Sequence, residues 1–289
     1  TVVITTGHPD IGGSRASMVN ITAELLGIHY KKVSAQVGDT ASIGFSATTG
    51  GSRVTFSAGT AVTKATEMII DSLRERAALI WDIDADAVTW SEGHAHPAGP
   101  NAGEFPPLSL SDIAAKASQT GGPITGQASL TAQGAAPAFA THVCDVEVDP
   151  ETGRVDILRY TAVQDAGRSI HPSYVEGQIQ GGVAQGIGWA LNEEYIYNDD
   201  GQLENPGFLD YRMPVASDLP MLDTAVVEVP NDAHPQGVRG VGEVPIAPPM
   251  AAVANAIHSA LGLRLTDLPM SPPKVLEAID EAAPSEAAD

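Results

Sequence analysis

AFATHVCDVEVDPETGRVDILRYTA occupies residues 138–162, and PSYVEGQIQGGVAQGIGWALNE follows at residues 172–193. The first stretch reads as two paired strands, Ala138–Val148 and Arg154–Ala162. The turn between them, Asp149-Pro150-Glu151-Thr152-Gly153, has hairpin chemistry. The second stretch reads as a helix, with Val175, Ile179, Val183, Ile187 and Leu191 at four-residue spacing. Gly177, Gly181, Gly182, Gly186 and Gly188 interrupt it. Each interior glycine costs about 0.5–1 kcal/mol against Ala, so this helix is expected to approach something very closely.

Upstream, Thr1–Thr6 reads as a strand, Gly7–Ser14 as a loop and Arg15–Leu26 as a helix ended by Gly27. Tyr30–Val37 reads as a second strand. A Gly/Ser/Thr-rich run spans Gly38–Ser57, then a helix runs from about Gly59 to Ile80 and a short strand covers Ala87–Trp90. Ala95–Pro107 reads as loop because Pro and Gly break any period. Leu108 to about Ser118 is expected to be a short helix with Ser111 as its cap. Downstream come a turn at Asn198–Gln202, a strand at Thr224–Val229, helices at Pro245–Leu261 and Pro273–Ala282, and a frayed tail, Pro284–Asp289. Strands and helices alternate without the regular βαβ rhythm of a doubly wound sheet. The fold class is therefore α+β, with mixed sheets and packed helices. The expected division is 1–136, 137–283 and the tail 284–289. Because the chain opens directly on a strand, a missing neighbour, either another polypeptide or a further segment, is expected.

Composition narrows the function classes. Asp plus Glu is 36 against 15 Lys plus Arg, a formal net charge of −21. Nucleic acid and anionic membrane surfaces both demand a basic footprint, which this chain lacks. One cysteine, Cys144, cannot build a disulfide, a zinc cluster or an iron–sulfur cluster. A reducing, cytoplasmic compartment fits. No run is expected to be long and apolar enough to cross a membrane.

Four places hold candidate chemistry. Gly7–Ser14 (GHPDIGGS) sits between a strand and a helix, where free N–H groups and the positive helix end favour an anion, and Arg15 adds a donor fork. It matches neither a Rossmann fingerprint nor a P-loop, and an ordinary tight turn is the alternative. Ser46–Ser57 (SATTGGSRVTFS) offers hydroxyls, the backbone of Gly50 and Gly51, and the cation Arg53. Two such loops before helices suit a ligand with two phosphates. Gln178, among glycines, can read a heterocycle edge; tight helix packing is the alternative. Glu243, in Arg239–Pro245 (RGVGEVP), lies among apolar neighbours. A carboxylate in a dry turn has a raised pKa and accepts a proton near neutrality. A helix-start Glu stabilised by the dipole is the alternative. The eight histidines scatter, and no metal role is expected of them.

These sites in this order resemble the C-terminal half of the molybdopterin-binding subunit of the xanthine oxidase-type molybdenum hydroxylases. The resemblance is carried by Asp165–Trp189 (DAGRSIHPSYVEGQIQGGVAQGIGW), Asn192–Tyr195 (NEEY), Tyr211–Pro214 (YRMP) and Gly237–Pro245 (GVRGVGEVP). It implies the molybdenum-cofactor-binding fold and hydroxylation of an electron-poor carbon with oxygen from water, with Glu243 as base. An N-heterocycle is the implied substrate, with aldehyde or carbon monoxide oxidation, or a non-catalytic cofactor-holding role, as alternatives. Gln178 matches a pterin contact. Gly12, Gly13, Ser14 and Arg15, with Thr49, Gly51, Ser52 and Arg53, match loops holding the pterin and its phosphates, in bacteria often as the cytosine dinucleotide. Gly242 belongs to the glutamate turn. Many members carry Gly-Gln-Gly where this chain has Ile11-Gly12-Gly13, which favours a backbone role there. The implied partners are a companion molybdopterin-binding chain, a [2Fe–2S] subunit and an FAD subunit. Such a split resembles nicotinate dehydrogenase.

Overall fold

The computed structural model describes residues 1–39, 41, 43–131 and 137–283. The expected tail and the boundary at residue 136 lie outside the described residues. The chain divides into two compact units: Thr1–Ala136 with Pro230–Val238, and Pro137–Val229 with Arg239–Asp289.

In the first unit, β1 (Val2–Thr6) leads through α1 (Ser14–Leu26) to β2 (Val33–Val37), which pairs with β1 in parallel. The expected strand start at Tyr30 is instead a 3-10 turn, Tyr30–Lys32, capped by His29. α2 (Val54–Trp81) begins about one and a half turns before the expected start, because nothing in residues 54–58 breaks a helix. β3 (Val88–Ser91), β4 (His94–Pro97) and β5 (Leu108–Ser109) form an antiparallel sheet. β4 corrects the loop expected from Ala95: only the backbone before its terminal Pro97 needs to pair, and Val88 opposes Pro97. α3 (Leu110–Ala115) and α4 (Ala117–Thr120) replace one continuous helix. The cap of α3 is Ser109, in a reciprocal box with Asp112, and not Ser111. Leu26, Leu73, Ala77, Val88 and Ile113 form the core here. Pro230–Val238 belongs to this unit through the buried residues His234 and Gln236, which bond to Phe56, Thr60 and Thr63 of α2.

In the second unit, β6 (Ala140–Val148) and β7 (Val155–Asp165) form the expected hairpin, with Gly153 N–H donating to the Asp149 carbonyl. β7 then passes through α5 (Pro172–Leu191) to β8 (Leu222–Val227), which pairs with it in parallel. Both units thus contain one βαβ crossover, which the irregular spacing of the elements concealed. α6 (Pro248–Leu261) and α7 (Pro272–Ala282) complete the unit. Ile179, Val183, Ile187 and Ala190 of α5 meet Val253 and Ile257 of α6 and Val275 of α7 in the core. The stretch Val244–Leu261 is 18 residues with mean hydropathy 1.2, which corrects the expectation that no run reaches that length and composition. It is not one α-helix, however. A 3-10 turn at Val244–Ile246 precedes the 14-residue α6, whose length is about 21 Å at 1.5 Å per residue.

Candidate active site

The two glycine-rich loops of the first unit leave from the carboxyl ends of the parallel strands β1 and β2, the usual side for ligands on such sheets. They meet: a Cβ on Gly7 would lie 2.9 Å from Ile43 Cδ1 and 3.2 Å from Ser46 Cβ. Gly12 and Gly13 adopt left-handed backbone (φ 64° and 76°), which glycine enters freely, and so turn the chain into α1. Gly51 and Ser52 repeat that conformation before α2 (φ 64° and 54°).

The start of α1 is already partnered. Asp10 accepts the Arg15 backbone N–H at 2.9 Å and pairs with its Nε at 2.6 Å, and Ser14 Oγ lies 3.4 Å from the same carboxylate. The Arg15 N–H bond, with the guanidinium beside it, lowers the Asp10 pKa. Asp10 thus engages Arg15 and Ser14, two of the residues expected at a phosphate.

Orphaned polar atoms lie in both loops. His8 Nε2, Ser46 Oγ and Thr49 Oγ1 are buried with no hydrogen-bond partner among the described residues. Burial, then the charge of Arg53, lowers the His8 pKa. These buried polar atoms are left for a partner outside the described residues, and the Arg53 charge acts on His8 from the neighbouring loop. His8 and Ser46 were not singled out from the sequence because no spacing rule connects the two loops, which meet at Gly7 and Ser46.

In the second unit the glycines of α5 divide into three groups, of which Gly188 packs against Glu193 and Pro214. Cβ atoms at Gly182 and Gly186 would collide with Pro245, Ile246 and Pro249, whereas Gly177 and Gly181 have nothing within 4 Å. The expected close approach is thus to the segment just after Glu243. The other face, with half-buried Gln178 between Gly177 and Gly181 and with exposed Gln185, is open to a flat ligand.

Glu243 itself is exposed, at φ −103° and ψ −13°, before the Val244–Ile246 turn. The expected dry turn is not formed within this chain: Pro245 is buried, but Glu243 is exposed. Residues Asn192–Tyr195 and Tyr211–Pro214 do meet. Tyr211 Oη donates to Glu193 Oε2 at 2.7 Å, and this bond is the main cause that raises the Tyr211 pKa to about 12. Cys144 is half-buried, and burial raises its thiol pKa to about 12.

A family model described as a molybdopterin cofactor-binding domain matches residues 1–220. The chain belongs to this family. The match takes in both loops and α5, while Glu243 lies beyond it. This molybdopterin-binding chain is 32% identical to the xanthine dehydrogenase molybdenum-binding subunit of Escherichia coli O157:H7, over 96% of its own length and 37% of the relative's. It is 32% identical to the nicotine 6-hydroxylase large subunit of Paenarthrobacter nicotinovorans, over 96% of the chain and 35% of that protein. The chain thus spans little more than a third of these relatives. Its structure superposes on quinoline 2-oxidoreductase from Pseudomonas putida 86 with a TM-score of 0.85 at 27% identity, covering 96% of this chain and 36% of that one. The superposition agrees with the α+β class.

Proposed function

We propose that this chain forms one wall of a molybdenum hydroxylase site and that Glu243 is its general base. The observation that carries the reading is the presentation of Glu243. It is an exposed carboxylate on a short turn seated against the glycine face of α5, in a chain of the molybdopterin-binding family. When bound, the molybdopterin group supplies a two-electron redox centre for inserting water-derived oxygen into an electron-poor C–H bond.

The chain's own residues divide the remaining work. Glu243 accepts the proton released as the water-derived oxygen bonds to carbon, and Gly242 leaves its approach open. Gln178, between Gly177 and Gly181, offers amide donors and an acceptor to the pterin edge. His8, Ser46, Thr49 and Arg53 face the phosphates, and Gly51 and Ser52 shape that loop. Gly12, Gly13, Ser14 and Arg15 then serve through backbone placement, since Asp10 holds the first turn of α1.

The substrate class is an N-heterocycle, and the cofactor is the cytosine dinucleotide form. The reaction removes two electrons and two protons from substrate and water together. The electrons pass to a [2Fe–2S] subunit and an FAD subunit in a cytoplasmic complex, in which a companion molybdopterin-binding chain supplies the facing wall. Analysis of the purified complex tests this. Molybdenum and one cytidine nucleotide per metal are expected after acid release, and Arg53→Ala is expected to lower both together. A complex without molybdenum contradicts the reading.

A further inference from the structure

The turn that carries Glu243 is gripped from its upstream side by two consecutive residues at the end of β7. Gln164 is fully buried, and its Nε2 donates towards the carbonyls of Gly240 at 3.3 Å and Val241 at 3.5 Å. The Asp165 Oδ2 lies 3.1 Å from Arg239 Nε, and both side chains are largely buried, 11% and 14% exposed. The ion pair is well supported. Asp165 Oδ1 accepts from Gly167 and Val229 N–H at 2.9 and 3.1 Å. Arg239 donates from Nε to the Val229 carbonyl at 2.9 Å and from Nη1 to the Pro137 carbonyl at 2.8 Å, and its own N–H donates to the Ala166 carbonyl at 3.1 Å.

Residues 239–241 are therefore fixed to the end of β7, and residues 245–249 are seated on Gly182 and Gly186 of α5. Only 242–244 span the two anchors. A buried ion pair is weak evidence of stability, since desolvation offsets its attraction; fixing one arrangement among alternatives is a use better suited to it. A base must be held to within a fraction of an ångström of its working geometry.

We infer that Gln164 and the Asp165–Arg239 pair are positioning residues that aim Glu243. The inference rests on the reading of Glu243 as the base. Gln164→Met isolates the effect from folding. The Gln164 Oε1 is buried and accepts no hydrogen bond among the described residues, so the substitution removes an unsatisfied atom, which offsets part of the local cost of leaving the half-buried Gly240 and Val241 carbonyls without this donor.

The test uses the molybdenum-loaded complex with Gln164→Met, Glu243→Gln and the double variant. Gln164→Met is expected to lower kcat about tenfold or more, to leave KM within about threefold and to retain full molybdenum. Amide exchange across residues 240–243 is expected to rise about tenfold while α5 and α6 stay protected. In the Glu243→Gln background, Gln164→Met is expected to cost no further turnover, because the group it aims is gone. Arg239→Lys should repeat the pattern, and serves if Gln164→Met does not assemble. Wild-type kcat and exchange in both positioning variants, with an inactive Glu243→Gln, overturns the positioning role alone. A fully additive loss in the double variant also overturns it. Wild-type turnover in Glu243→Gln overturns the base reading, and the positioning role with it.

Discussion

Gly182 of α5 lies against the Pro245 ring so closely that a side chain on the glycine has no room: its Cβ would sit 3.1 Å from Pro245 Cβ and 3.3 Å from the Ile246 nitrogen. The helix gives up intrinsic stability at this position to admit the segment that follows Glu243. Gly182→Ala is therefore expected to destabilise the second unit by about 1–3 kcal/mol through overpacking. It should also displace the Glu243 turn and lower turnover of the complex. Thermal unfolding and steady-state kinetics read the two effects; an unchanged Tm contradicts the close packing.

Gly181, one residue earlier, faces open space. Gly181→Ala should raise helix stability by about 0.5–1 kcal/mol. If that face meets the pterin, the same substitution should reduce molybdenum loading of the complex. Higher Tm with undiminished loading would remove α5 from the cofactor site.

Ser109 closes the reciprocal cap of α3 with Asp112, whereas Ser111 lies exposed within the helix. Ser109→Ala should cost about 1 kcal/mol, and Ser111→Ala much less. Denaturant midpoints of the two variants decide between them; equal losses contradict the assignment.

His142 makes stability depend on pH. Burial lowers its pKa from 6.5 to about 4, while Nδ1 stays 2.8 Å from Tyr160 Oη. Below pH 6.5 the unfolded chain takes up a proton that the folded chain refuses. The stability His142 permits at pH 7 is thus lost progressively between pH 6.5 and 4, with no further loss below. Between pH 7.5 and 5, wild type should lose more Tm than His142→Gln. Equal losses would contradict the burial.

Cys144, with its thiol raised to about 12, is expected to react with an alkylating reagent at pH 7.5 at least about 100-fold more slowly than free cysteine, and at the normal rate after unfolding. Rapid labelling of the folded complex would place the thiol in solvent.

Much of this was legible in local sequence. The hairpin between β6 and β7 follows from Asp149, Pro150 and Gly153, and the core face of α5 from its four-residue spacing. The glycines of α5 announced a close approach, but only packing reveals that Gly182 and Gly186 meet the turn after Glu243 while Gly177 and Gly181 do not. Long-range pairs were beyond local reading. Gln164 reaches Gly240 across 76 positions, and Gly7 and Ser46 come together only because two strands run in parallel. β4 was hidden because Pro97 looks like a breaker, yet it ends the strand and does not interrupt it. Glu243 was expected in a dry turn because its neighbours are apolar; those neighbours instead supply packing, Pro245 being buried, while Glu243 is exposed.

The most direct test replaces Glu243 by Gln in the purified complex and measures molybdenum content and turnover together. The account predicts full molybdenum and a fall in turnover of about 10²–10⁴-fold, the usual contribution of a general base. Full molybdenum with wild-type turnover would contradict it.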